Sequence, residues 1–373
     1  MKRILSKECL AGLTVVLFLW SCQKDSNELP LGGKETVSEF DSKIDVDAKK
    51  DLKDFVQVNL VGDDNEYSPA HIDANLVNAW GIAFPTSGPA WVTSFGKEVS
   101  VIYNADGSTA RPPVTIPTHS TATGGHPTGI IFNPTTDFKL PNGNPARFII
   151  AQADGLISGW NGGNAAIKMA DDSSGEVYLG IAMASDGGDN FLYAANFSQG
   201  KIDVFNKNLT KVNKPFIDPY LPQGYVPLNI QNIDGKLFVM YGQPGTGNDV
   251  ISPRNGFVDM YNPDGSLVKR FISQGQLNAP WGITKAPAGF WGNDSENKDI
   301  FLVGNFGDGH INAYNAEGEF RGQLRAHGTP IKIERLWGIA FAPPTSTTID
   351  HNQLFFAAGP DHETHGLFGV IKK

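Results

Sequence analysis

At 373 residues the chain can form one large domain or two ordinary ones, and its 40% of hydrophobic residues suffice for a real core. A formal charge of −9, with no basic stripe, excludes a surface that tracks phosphates, so no nucleic-acid partner is expected. With 42 Gly and 24 Pro, the composition suits many turns and short strands better than long helices.

The chain begins with Lys2, Arg3 and Lys7, then the apolar run CLAGLTVVLFLW at 9–20, which is too short to span a bilayer comfortably. That run ends in LWSC, which resembles a bacterial lipobox. Residues 1–22 therefore read as a lipoprotein signal peptide with Cys22 as the lipidated position; an ordinary cleaved secretory signal is the alternative. The next residues, QKDS at 23–26, resemble the short Lys/acidic signal that sends lipoproteins to the bacterial surface. The expected location is the outer membrane, held through lipid at Cys22 and exposed at the cell surface, with a periplasm-facing lipoprotein as the alternative. Cys9 leaves with the signal and Cys22 carries lipid, which removes thiol nucleophiles, disulfides and Cys-ligated metals from the mature domain. Residues 23–53 are polar and read as a flexible tether reaching on the order of 30 Å.

Beyond the tether the sequence repeats. WGI stands at 80–82, 281–283 and 337–339, with TGI at 128–130, LGI at 179–181 and LNI at 228–230 between them. The centres Gly81, Gly129, Gly180, Asn229, Gly282 and Gly338 are 48, 51, 49, 53 and 56 residues apart. Each is followed by an apolar strand, such as RFIIAQAD at 147–154 or IFLVGNF at 300–306, and then by an alternating one such as GKIDVFN or GHINAYN. Asn-, Asp- and Gly-rich turns close those strands, and a less regular fourth strand follows.

Six repeats of four strands predict an all-β fold, a six-bladed β-propeller over 54–373. The last repeat ends at Lys373 after its third strand. The unused run FVQVNLV at 55–61 is expected to complete that blade, so that the N-terminal strand closes the ring and removes exposed edges. The Trp residues are expected at the start of innermost strands, packed between neighbouring blades, with Gly letting the backbones approach.

The stretches DANLVNAWGIA, PTGIIFN, LVGNFGDGHINAYN, LWGIAFAP and AAGPDHETHGLFGVI resemble an uncharacterised family of secreted bacterial propeller proteins, from about residue 55 to 373. More distantly the repeats resemble NHL-type propellers, which include streptogramin lyase and gluconolactonase-like hydrolases. The resemblance implies the fold and export, and no particular reaction.

Strand direction alternates, so the loops that lead into innermost strands share one face with those joining second to third strands. That face surrounds the central channel, where propellers usually bind ligands. Its expected ligand-binding residues are His126, Asp154, Asn196, Asn305, Asp308, Glu363 and His365. His126, His362 and His365 are candidate ligands for a divalent metal, Zn²⁺ or Ca²⁺, although no HExxH or EF-hand spacing is present. Glu363 and His365 are expected to approach Asn305 or His126 across the channel mouth. Two functions fit. One is a monomeric surface lipoprotein binding an extracellular small molecule, glycan, peptide or protein; the other is a metal-assisted lyase or hydrolase using rim His and carboxylates.

Overall fold

Every copy of the repeat forms an antiparallel sheet running outward from the axis; the first comprises Ala79–Ala83, Ala90–Ser94, Val99–Tyr103 and Thr109–Thr115. The computed structural model describes residues 52–171, 175–245, 251–292 and 299–373. The signal peptide expected at 1–22, with Cys22, and residues 23–51 of the expected tether lie outside the described residues. The other innermost strands are Pro127–Phe132, Tyr178–Asp186, Val226–Ile233, Pro280–Lys285 and Leu336–Phe341. Six sheets in a ring make the six-bladed propeller. Among the described residues no helix is long and apolar enough to cross a membrane.

The ring closes as its pattern requires. Val56–Gly62 pairs antiparallel with Leu367–Lys372, so the first strand supplies the outer strand of the last blade. His71–Ile72 adds in parallel at its outer edge.

Strand chemistry explains the packing. Side chains alternate between the two faces of a blade, and both faces are covered by neighbouring blades. Hence Phe148 and Ile150 enter the cluster with Trp91 and Ile102 of the first blade, while Ile149 and Ala151 enter the cluster with Leu192 and Ala194 of the third. Second strands bury both faces, which is why they read as continuous apolar runs.

The repeated tripeptide has a geometric reason. Pairing between the first and second strands slips in all six blades at this point: between Ala79 and Ile82, Pro127 and Ile130, Tyr178 and Gly180, Pro227 and Asn229, Pro280 and Gly282, and Leu336 and Ile339. Each slip is a β-bulge that bends the innermost strand at the axis and turns its carbonyl sideways. A Cβ on Gly81 would sit 2.6 Å from Thr128 O, and one on Gly338 would sit 2.5 Å from Trp80 O. Only glycine permits that approach. In the fourth blade Asn229 replaces glycine and donates from Nδ2 to Trp281 O at 2.8 Å, bridging to the next blade. Thr93 and Thr128 form the same bridges from Oγ1, to Thr128 O at 2.5 Å and Tyr178 O at 2.7 Å.

The Trp rings go further than the expectation. Trp80 and Trp337, and Trp281 and Trp337, pack between neighbouring blades as expected, but the three also meet one another in a single cluster on the axis. Trp80 and Trp337 stack with centroids 3.6 Å apart, and Trp281 meets both edge-on at 6.1 and 6.0 Å. Leu179, Leu228 and Phe306 complete this cluster. The bulge aims the side chain before the glycine inward, and the channel is filled there rather than open.

Two outcomes test this architecture. Gly129→Ala places a Cβ 2.8 Å from Gly180 Cα, and urea denaturation should register a loss of about 1–3 kcal/mol. Deleting residues 54–62 uncovers the edge of Leu367–Lys372, and size-exclusion chromatography should find aggregates instead of a soluble monomer.

Candidate functional site

The aromatic cluster forms the floor of the face reached by the lead-in loops. Phe95, which begins the loop joining second and third strands of the first blade, stacks on Trp80 at 5.4 Å. Phe306, at the equivalent place in the fifth blade, lies 4.2 Å from Trp337. Around this floor three groups of polar side chains stand on different blades.

The first group centres on Asp154. Its carboxylate accepts the His126 backbone N–H at 2.6 Å and the His126 Nδ1–H at 3.0 Å. With Nδ1 donating, a neutral ring carries its lone pair on Nε2. That nitrogen faces Glu98 Oε1 at 3.9 Å, and the ring lies 5.0 Å from Phe95. The His126 side chain is 40% exposed, so the ring is reachable from solvent. The Asp154 carbonyl contacts His119 Nε2 at 2.8 Å, and His119 Nδ1 contacts Asp171 at 2.5 Å. The hydrogen bond to Asp171 holds the His119 imidazole above its ordinary pKa, while Lys168 and His119 hold the Asp171 carboxyl below its own.

The second group links the rim to the floor. Buried Asn78 accepts the Trp337 indole N–H at 2.9 Å and donates from Nδ2 to Glu363 Oε2 at 3.0 Å. The Arg335 guanidinium stands 4.8 Å over the Phe306 ring, and its Nη2 lies 3.5 Å from His362 Nδ1. Asn78 and Arg335 each precede a Trp by two residues and turn the chain inward at φ of 50° and 51°. Asp361, His362 and Glu363 are consecutive non-glycine residues at φ of 49°, 54° and 70°. Such backbone costs energy and persists only where its surroundings hold it.

The third group is structural in its contacts. Asn305, fully buried, donates to Gln276 O at 2.8 Å and to Asp308 Oδ1 at 3.1 Å. Asp308 also accepts from Asn278 Nδ2 at 3.2 Å and from the His310 N–H at 3.1 Å. Asn196, likewise buried, donates to Asp203 at 2.8 Å and accepts the Gln199 N–H at 3.2 Å. These amides fix loops.

The expected meeting across the mouth takes a different form. Glu363 bonds Asn78, not Asn305 or His126. His365 turns away, with Nδ1 3.0 Å from Asp63 Oδ2 and 3.5 Å from Asp64. Ring closure causes this, because the loop after Gly62 lies against the last blade and offers carboxylates nearer than those of the channel. His126, His362 and His365 thus form no common group among the described residues; each faces its own carboxylate or arginine. Asp63, Asp64 and His365 do converge, with one ligand atom each lying within 4.8 Å of the others. Asn78, Arg335, Phe95 and Glu98 were not foreseen. The first two could have been found from their shared place two residues before a WGI.

No family model matches the chain. It is 32% identical over 337 residues to "Uncharacterized protein L690" of Acanthamoeba polyphaga mimivirus, covering 85% of this chain and 86% of that one. "Uncharacterized protein R648" of the same virus is also 32% identical over 337 residues, covering 85% and 80%. Both relatives are viral and uncharacterised, so they lend nothing to the expected secreted bacterial family or to any reaction. Among solved structures, virginiamycin B lyase from Staphylococcus aureus is similar at a TM-score of 0.50 and 13% identity, over 86% of this chain and 99% of that one. At that identity the likeness concerns the fold alone.

The His365 contacts predict a pH dependence. Burial opposes the charge, but Asp63, Asp64 and Glu66 outweigh it and hold the imidazole above its ordinary value of 6.5. A raised folded pKa means stability that is complete below the unfolded value and lost as pH rises through the folded one. The melting temperature of His365→Gln should therefore fall furthest below wild type under pH 6.5 and converge with it at higher pH. A gap that widens with pH would contradict the pairing.

Proposed function

This chain belongs to the family of the mimivirus proteins L690 and R648, and since that family brings no known reaction, we propose a function from the site itself: binding of an extracellular ligand on the lead-in face. The observation that carries this reading is the partly exposed His126 ring, held by Asp154 beside Glu98 and Phe95 above the closed Trp floor. An aromatic surface next to fixed donors and acceptors suits a glycan, a peptide or a small molecule with one apolar face. Glu363 and Arg335 of the sixth blade extend the polar rim. The strained 361–363 backbone supports the same reading, because such backbone clusters at ligand clamps. Asn196, Asn305 and Asp308 shape the loops that carry the rim.

The signal-like start supports export. In this reading the chain is a secreted bacterial-type lipoprotein, held in the outer membrane through Cys22 and displayed at the cell surface as a monomer on the 23–53 tether. Radiolabelled palmitate should label the protein expressed in bacteria and fail to label Cys22→Ser; equal labelling of both would remove the anchor.

Screening against glycan arrays and peptide libraries tests the binding role. A ligand should emerge whose affinity falls at least about tenfold, near 1.4 kcal/mol, in both His126→Ala and Glu98→Ala. Broad panels without a ligand, or binding indifferent to both substitutions, would contradict it.

One observation favours the metal-assisted reading as a second. The Asp63, Asp64 and His365 group offers two carboxylates and an imidazole, a donor set that suits Zn²⁺ or Ca²⁺. A metal there would supply Lewis acidity, and these residues would hold it. Elemental analysis separates the readings: stoichiometric metal removed by EDTA favours the enzyme, and metal-free protein without ion-dependent stabilisation opposes it.

A further inference from the structure

The opposite end of the channel has a different chemistry. Where the innermost strands leave the axis, they surround a cavity of about 500 Å³. Ile82, Phe84, Ile131, Ile181, Met183 and Phe341 supply much of its wall. No ionisable side chain is among the residues that line it. The Trp cluster occupies the same strands at their other end, so the cavity is blind. A volume of this size lies within the range of small-molecule pockets, roughly 300–1,000 Å³.

Polar groups in the wall are few and mostly committed. Asn232 donates to Met183 O at 2.7 Å and accepts the Gly235 N–H at 3.0 Å. Gln231 Oε1 accepts the Ile283 N–H at 2.8 Å, which fixes the amide of this lining residue. A charged guest would lose its hydration here with nothing to compensate it. A guest with few hydrogen-bonding groups finds the Gln231 amide and the Thr86 and Thr345 hydroxyls on a mostly apolar wall.

We propose that this cup is a second ligand site, for an uncharged and largely apolar small molecule with few hydrogen-bonding groups. It is independent of the lead-in face, since the indole layer separates the two. A water-filled vestibule would not need an apolar wall contributed by four of the six blades.

The test uses the full-length protein with two fluorescent probes of similar shape. The neutral probe is N-phenyl-1-naphthylamine, and the anionic one is 1-anilinonaphthalene-8-sulfonate. The neutral probe should bind saturably at one site per chain, at least about tenfold more tightly than the sulfonate, a gap equivalent to 1.4 kcal/mol. Met183→Lys places a charge at the cup, and Ala340→Trp fills it; each should weaken the neutral probe by about tenfold or more. Both positions are partly exposed, so circular dichroism should find both variants folded, and either alone suffices. The site is overturned by non-saturable binding or by equal affinity for the two probes. It is also overturned if binding survives both cup substitutions but is lost in Phe95→Ala, which would place the probe on the lead-in face. Wild-type protein that sediments as a dimer and becomes monomeric in Met183→Lys would instead give the cup to a second copy of the chain.

Discussion

Six strands can converge on one axis only if their backbones approach more closely than side chains ordinarily allow, and the bulge at each tripeptide meets that constraint. In five blades its middle residue is glycine, which at Gly81, Gly282 and Gly338 admits a neighbouring carbonyl, and the residue before it points inward. Three of those inward residues are tryptophans, so the space that convergence leaves is filled by indoles instead of water. Stacked and edge-on indole pairs contribute about 0.5–1.5 kcal/mol each beyond their buried area, and they tie the first blade to the fifth and sixth. The two ends of the channel are separated for the same reason.

Rim and floor form one mechanical unit. Trp337 cannot shift without disturbing Asn78, and Asn78 holds Glu363 on a backbone that is unfavourable on its own. The Asp154 clamp similarly fixes His126 through two bonds, one to the backbone and one to the ring. A ligand meeting these groups finds side chains already ordered, which lowers the entropic cost of binding. Specificity in such a site resides in loops of different blades, while the ring beneath them stays constant.

The sequence carried the architecture because blade structure is local. A 50-residue period, alternating strands and Asn–Asp–Gly turns all lie within reach of one repeat, and the spare strand at 55–61 had one logical place. The site was less legible. Asn78 meets Glu363 across 285 positions, and His365 meets Asp63 across 302, contacts that exist only once the ring has closed. No local pattern distinguishes Asn305, whose amide holds a loop, from an amide that waits for a ligand. The tryptophans were placed on the right strands and between neighbouring blades, but their gathering into one cluster on the axis was not foreseen. The direction of a side chain at a bulge depends on a register slip that composition does not reveal.

The closed channel is the central claim, and hydrogen exchange at the indole N–H groups tests it most directly. Trp337 donates its N–H to Asn78, whereas the buried Trp80 and Trp281 N–H groups have no protein acceptor. An open channel would let water reach Trp80 and Trp281, and nothing would slow their exchange. In a closed one all three are protected by burial, at the level of the core amides. Nuclear magnetic resonance of indole-labelled protein in heavy water should find all three signals persisting as long as those of the second-strand amides. Loss of the Trp80 and Trp281 signals within the dead time, with the core amides still protected, would contradict the account.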